Sequence, residues 1–347
     1  MWCKLLTSPF LCDILPCSQK NKQSRKFEIM RKISLQIYDR LKRARAILIV
    51  THQNADGDTL GSACALFEHL QKIGLKTAIF CITPLNPRLA FLPHSEKLQT
   101  DPEIFSNPEL DVIVVLDSGD LQYAGVHALV KNHQAEIINI DHHHTNQQYG
   151  HLNLVISTAS STAEVVYHFL KNIQAQISHR MSTALLTGII TDTDNFTNSA
   201  TSESAMSAAS DLIRRGGNLN MINENVVRNK SINLLRLWGE VLNRLKKHIE
   251  LDMVYTYITQ KDLDIHQVSE NDSDGIANFL NNLDEGKMAL ILKETQDGRI
   301  KGSFRTTKDD VDVSALAKKL GGGGHKKAAG FSLFGTIEEV LEKIMAL

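Results

Sequence analysis

Asn139-Ile140-Asp141-His142-His143-His144 follows directly on the apolar pair Ile137-Ile138. The apolar run predicts a buried strand. An aspartate and three imidazoles at its carboxyl end stand where open α/β sheets bind ligands and where metals and anions are handled. Histidine runs also form solvated loops, so this segment takes its meaning from its counterparts. Ala46 to Val50 leads into Thr51-His52-Gln53-Asn54-Ala55-Asp56-Gly57-Asp58. Val112 to Leu116 leads into Asp117-Ser118-Gly119-Asp120, and Leu185 to Thr191 leads into Asp192-Thr193-Asp194. Four such junctions in one chain call for one explanation.

Around these junctions the chain alternates. Arg31 to Ala44 has helical spacing, Ala46 to Val50 reads as a strand, Leu60 to Ile73 as a helix ended by Gly74, and Lys76 to Ile82 as a strand. Thr83 to Pro108 holds Pro84, Pro87, Pro93, Pro102 and Pro108 and predicts irregular connection. Strand Asp111 to Leu116, helix Tyr123 to Asn132, strand Glu136 to Ile140 and strand Leu152 to Ile156 follow. Unbroken apolar strands between helices predict a mostly parallel sheet covered on both faces.

The next segments are helical: Ser161 to Asn172, Ser178 to Thr191, Ser202 to Arg215, and a long Ile232 to His248. From Glu250 the texture changes to alternation. Met253 to Ile258, Met288 to Lys293 and Lys301 to Thr306 read as strands, with helices Ile276 to Asn281 and Val313 to Leu320. The expected division is a disordered leader over 1–29, an α/β domain over 30–228, a helical linker over 229–250 and a smaller α+β domain with a mixed sheet over 251–347. The leader could equally be upstream sequence before a start at Met30.

With 347 residues, 42% of them hydrophobic and 22% charged, the chain has the composition of a globular protein of two domains and not of a disordered or membrane-spanning one. A net charge of −1 provides no bulk attraction to long nucleic acids. Cys3, Cys12, Cys17, Cys64 and Cys81 are odd in number and lack CxxC spacing, which points to reduced thiols in a cytoplasmic setting.

His52, Asp56 and Asp58 share one loop, where Gly57 lets both carboxylates turn inwards. Two closely spaced divalent ions need several anionic ligands, at least one shared. Asp56, Asp58, Asp117 and Asp192 offer four carboxylates, and His52 and His142 offer two imidazoles. Turns and helix caps use the same residue types, so Asp58 could be a cap, and Asp117-Ser118-Gly119-Asp120 could be a turn. Near the end, Gly321-Gly322-Gly323-Gly324-His325-Lys326-Lys327 follows a predicted helix. Glycine amides flanked by His and Lys suit a phosphate, with Arg305 as a second contact; a flexible linker is the alternative.

These motifs together resemble the DHH phosphoesterase superfamily with a DHH-associated C-terminal domain, and within it the stand-alone NrnA type of oligoribonuclease and 3′-phosphoadenosine-5′-phosphate (PAP) phosphatase. His52 to Ser62 matches the first motif, Asp117 the second, Asp141-His142-His143 the signature and Asp192-Thr193 the fourth. Ser303-Phe304-Arg305 and Gly321 to Gly330 match the C-terminal domain. Ala55 departs from a usual proline, and Asp194 from a common glycine.

The resemblance implies a Rossmann-like fold and two divalent ions, most often manganese. One would be held by His52, Asp56 and Asp117, the other by Asp58, Asp117, His142 and Asp192. Asp141 would orient a histidine and His143 would stabilise the transferred phosphate or the leaving group. Ser303, Arg305, Gly322, Gly323, Gly324 and His325 would bind substrate. The implied substrates are short single-stranded RNA, dinucleotides and nucleoside 3′,5′-bisphosphates, with no membrane partner and a homodimer left open. A phosphodiesterase for linear diadenylate shares this chemistry. A RecJ-like exonuclease would need a basic track, and a scaffold derived from the fold would have lost a ligand.

Overall fold

The computed structural model describes residues 17–228, 230–270, 273 and 275–347, with side chains from Glu28 onward except those of Asn282 and His325. The chain falls into two compact units that divide after Arg228. The first sixteen residues of the expected leader lie outside the described residues; α1 runs Cys17–Lys42, so the helix expected from Arg31 starts earlier.

In the first unit, six strands form one sheet: β1 (Ala46–Val50), β2 (Thr77–Phe80), β3 (Leu98–Gln99), β4 (Leu110–Leu116), β5 (Glu136–Asp141) and β6 (Leu152–Val155). Their order is β3-β2-β1-β4-β5-β6 and every neighbouring pair is parallel. The order reverses between β1 and β4, which opens a crevice at their carboxyl ends. β1 is buried along its whole length and β4 along all but Asp111, because helices cover both faces. That is why these strands read as unbroken apolar runs and do not alternate.

Helices α2 (Gly57–Lys72), α3 (His127–Val130), α4 (Thr162–Asn172), α5 (His179–Asp192), α6 (Glu203–Arg214) and α7 (Leu219–Ile222) complete the unit. Ile47, Ile49, Val112 and Val114 pack on one side with Leu60, Leu66 and Leu70 of α2 and with α4 and α5. Each such fully buried leucine contributes about 1.5–3 kcal/mol of transfer free energy. Leu48, Val50, Ile113 and Val115 face the other way, against Phe105, Val126 and Val130. α2 and α5 approach at backbone distance: a Cβ on Gly61 would come within 2.3 Å of the Ala184 carbonyl oxygen.

The helix expected over Tyr123 to Asn132 is reduced to α3. Gly125 takes φ +72°, outside the helical region, and its backbone turns the chain before α3 begins.

The second unit has α8 (Ile232–Asn243), β7 (Lys246–His248), β8 (Met253–Ile258), α9 (Gln260–His266), α10 (Ile276–Phe279), β9 (Met288–Glu294), β10 (Arg299–Arg305), α11 (Val313–Lys319), β11 (Gly323–His325), β12 (Ala328–Phe334) and α12 (Ile337–Met345). Its sheet runs β11-β12-β10-β9-β8-β7, with β8 and β9 parallel and the other pairs antiparallel. Leu290, Leu292 and Phe304 pack against α11 and α12 on one face, and Ala289 and Ile291 against Leu234, Leu237 and Trp238 of α8 on the other. The helix expected to reach His248 stops at Asn243, since the polar Lys246-Lys247-His248 pairs with β8 as an edge strand.

Candidate metal centre

The carboxyl ends of β1, β4 and β5 and the end of α5 bring the six candidate ligands together. Ligand atoms of His52, Asp56 and Asp117 lie within 4.8 Å of one another, as do those of Asp58, His142 and Asp192, and those of Asp117, Asp141, His142 and His143. Asp117 and His142 each belong to two of these groups.

Each side chain is set by local backbone chemistry. Asp56, not Asp58, caps α2: its Oδ1 accepts the Asp58 and Thr59 N–H groups at 2.9 and 3.1 Å. The same carboxylate lies 3.6 Å from His52 Nε2, so capping and ligation do not exclude each other. His52 Nδ1 meets the Gln53 carbonyl at 2.8 Å, which assigns an N–H to Nδ1 and turns Nε2, where a proton or a cation can sit, toward Asp56 and toward Asp117 Oδ2 at 3.4 Å. Asp58 is fully buried and accepts the first two amides of α4, Thr162 N–H at 2.7 Å and Ala163 N–H at 2.8 Å. Asp117 holds φ +57° and accepts the Thr162 hydroxyl at 2.9 Å. Asp192, the last residue of α5, is 3.2 Å from His142 Nε2.

Asp141 is fully buried and serves its neighbours. Its Oδ1 takes His143 Nδ1 at 2.7 Å and the His142 N–H at 2.7 Å, and its Oδ2 takes Asn146 Nδ2 at 2.6 Å. His144 is exposed beside this network.

The electrostatics call for added positive charge. Burial, then the Asp117 charge, pushes the carboxyl groups of Asp58 and Asp192 well above their usual range. Asp192 also sits at the negative end of a 14-residue helix. Burial opposes a charged His52, yet Asp117 and Asp56 override it and push its pKa up to about 12. Burial likewise opposes a charged His143, and Asp141 prevails, raising it to about 9. Among the described residues no lysine or arginine pairs with Asp56, Asp58, Asp117 or Asp192; Asp56, Asp117 and Asp192 pair with histidines. Carboxylates and imidazoles crowded this closely, one carboxylate common to two groups, fit a pair of divalent cations.

Several functional neighbours escape sequence reading. Thr162 touches both Asp58 and Asp117 from the start of α4, signalled only by its place in the Ser160-Ser161-Thr162 run. Asn146 holds Asp141, and Gly188 makes room for Asp58. Asp194, Asn195 and Phe196 hold φ +48°, +58° and +63°, so the position where the resemblance leads one to expect glycine is left-handed.

In the second unit, Arg305 ends β10, its Nε donating to Asn278 Oδ1 at 3.0 Å, and Ser303 lies on the same strand. The glycine run is partly strand: β11 covers Gly323–His325 and pairs with β12. A Cβ at Gly322 or Gly324 would meet backbone oxygens at 2.1 and 2.6 Å, whereas Gly323 has no neighbour within 4 Å and no positive φ. Gly323 is therefore the one glycine of Gly322 to Gly324 whose bareness packing does not require. The His325 side chain lies outside the described residues.

Two family models match: the DHH family N-terminal domain over residues 46–189 and the DHHA1 domain over 250–347. The bifunctional oligoribonuclease and PAP phosphatase NrnA of Thermus thermophilus is 30% identical over 302 residues, 86% of this chain and 88% of that protein. The protein of the same name from Bacillus subtilis is 26% identical over 89% of this chain and 93% of its own length. An exopolyphosphatase-related protein from Bacteroides fragilis shares the fold with a TM-score of 0.85 and 24% identity, covering 91% of this chain and 95% of that one.

Proposed function

Because this chain belongs to the DHH phosphoesterase family and is a hydrolase of phosphoester bonds, we propose that it trims short oligoribonucleotides to mononucleotides and removes the 3′-phosphate of PAP. The names of its Thermus and Bacillus relatives support both substrates. The observation that carries the reading is Asp117, whose two oxygens reach His52 on one side and His142 and His143 on the other.

His52, Asp56 and Asp117 would hold one divalent ion, and Asp58, Asp117, His142 and Asp192 the other. When bound, such a pair activates water and offsets charge on the phosphoryl group. Mixed imidazole and carboxylate donors favour a borderline ion over magnesium, and manganese is our assignment.

The chain's own residues supply orientation. Gln53 fixes the His52 tautomer through its carbonyl. Asp141 holds the His143 ring by Nδ1, which orients Nε2 as a donor to the transferred phosphate or its leaving oxygen. Asn146, bridging Asp141 and the Ser118 carbonyl, keeps that carboxylate in place. Ser303, Arg305, the Gly322 to Gly324 amides and His325 are our candidates for substrate binding in the second unit.

Among the described residues no helix is long and apolar enough to cross a membrane. The buried thiols Cys64 and Cys81 are unpaired, which supports a reducing, cytoplasmic compartment.

A product time course with manganese on a labelled five-nucleotide RNA, linear diadenylate and PAP, run in parallel, tests the proposal. Stepwise release of mononucleotides and of phosphate from PAP is expected. Turnover of diadenylate alone would replace the proposal with a dedicated dinucleotide phosphodiesterase.

A further inference from the structure

We infer that the Tyr123 ring is a stacking platform for the nucleobase adjoining the phosphate under attack, a role that rests on the nucleotide substrates proposed above. The ring lies against the candidate ligand His52, centroids 5.1 Å apart and planes inclined by 38°. Even so, Tyr123 remains 49% exposed. An aromatic side chain so placed forgoes much of the burial that usually locates tyrosine, at the rim of a centre that handles phosphate.

The backbone that carries this ring is anchored. Tyr123 N–H donates to Asp120 Oδ1 at 2.7 Å, and the Ser118 hydroxyl donates to the Asp120 carbonyl at 2.6 Å. The next residues anchor the loop: Ala124 and Val126 are fully buried. At Gly125, φ is +72° and an added Cβ would stand 2.7 Å from Ile82 Cγ2. No hydrogen bond engages the Tyr123 hydroxyl among the described residues, so its polar end does not explain its position.

Ligands for metal ions recognise phosphate and are indifferent to what the phosphate is attached to. Clustered carboxylates add nothing for the uncharged part of a nucleotide. An aromatic face beside His52 supplies that contact, and it tolerates every base because every base has a π-face. Purines, with the larger face, should bind more tightly than pyrimidines.

Wild type, Tyr123→Phe and Tyr123→Ala are compared on PAP and on its base-free analogue, 1-deoxyribose 3,5-bisphosphate, alongside fluorescence of a diribonucleotide carrying 2-aminopurine titrated without turnover. Tyr123→Ala should raise KM for PAP roughly five- to a hundredfold and abolish quenching of 2-aminopurine, while Tyr123→Phe keeps both. All three proteins should turn over the base-free compound alike. Equal losses for Tyr123→Ala on both substrates would mean that the ring merely supports His52, and a Phe variant as impaired as Ala would assign the effect to the hydroxyl; either overturns stacking. If wild type hydrolyses neither compound, the proposed substrates fail, and quenching that Tyr123→Ala leaves unchanged would overturn the platform separately.

Discussion

A methyl group placed on Gly188 would stand 2.6 Å from Asp58 Oδ1 and 3.0 Å from the Asp58 Cα. The same group would come 2.5 Å from the Ala163 Cβ, so α5 meets both α2 and α4 at this one residue. Asp58 and Asp192 are carried on different helices, and their separation depends on how closely those helices pack.

Gly188→Ala should therefore act on the metal centre without replacing a candidate ligand. Asp58 Oδ1 is held by an amide of α4 and the other opposing atoms are a Cβ and a Cα, so the helices must part, at about 1–3 kcal/mol. The expected result is a lower Tm, weaker manganese binding by calorimetry and at least a tenfold loss of turnover. Gly239→Ala is the comparison: this exposed glycine inside α8 has nothing within 4 Å, and alanine there should stabilise by about 0.4–1 kcal/mol. If the two variants bind manganese equally well, the close approach is not what sets the site.

Asp117→Asn removes the charge shared between the ligand groups. Asparagine tolerates the φ of +57° and can still accept from Thr162, which makes it a cleaner change than alanine. Metal content should fall and turnover should drop by orders of magnitude, with the melting transition retained. Near-wild-type rates in excess manganese would remove Asp117 from the centre.

Much of this candidate centre was legible in the sequence because the fold puts the candidate ligands just past buried strands. β1, β4 and β5 announce themselves as apolar runs, and the polar residues after them are the ones at the crevice. What stayed hidden are relationships across long sequence separations. Thr162 and Asp58 are 104 residues apart and Gly188 is farther still; no local pattern marks a serine–threonine run as the cradle of a distant carboxylate. The Tyr123 to Asn132 stretch misled for the opposite reason, since a helical reading rests on local sequence while Gly125 takes φ +72° where its backbone lies close against Ile82.

Acid should weaken the second unit through Asp262. Burial alone would raise this carboxyl, but the Arg244 fork, at 2.5 and 2.7 Å, and the Thr259 amide bring its pKa down to about 2. A depressed folded-state pKa means that the contribution is complete above the unfolded value, about 3.9, and is lost as pH falls from there towards 2. Asp262→Asn should lower Tm at pH 7, and the gap from wild type should narrow below pH 4. Tryptophan fluorescence can follow it, Trp238 being buried in the same unit. A gap constant down to pH 2 would show that the pair is not what the substitution disturbs.

Arg305→Ala tests whether the second unit holds part of the substrate. The guanidinium is ordered by Asn278 and by the Phe304 carbonyl at 2.9 Å, so its direction is set before any ligand arrives. A charge-assisted contact to a substrate phosphate is worth about 1.5–3 kcal/mol, roughly ten- to a hundredfold in kcat/KM. That loss is expected on short oligonucleotides, with manganese content unchanged, because the candidate ligands belong to the other unit. Bis-p-nitrophenyl phosphate has no second phosphate to grip and should be hydrolysed with a smaller loss. Arg305→Lys keeps the charge but not the planar fork, and should recover only part of the rate on oligonucleotides. Equal losses on both substrates would instead tie Arg305 to the chemical step or to the integrity of β10, and substrate binding by this arginine would have to be given up.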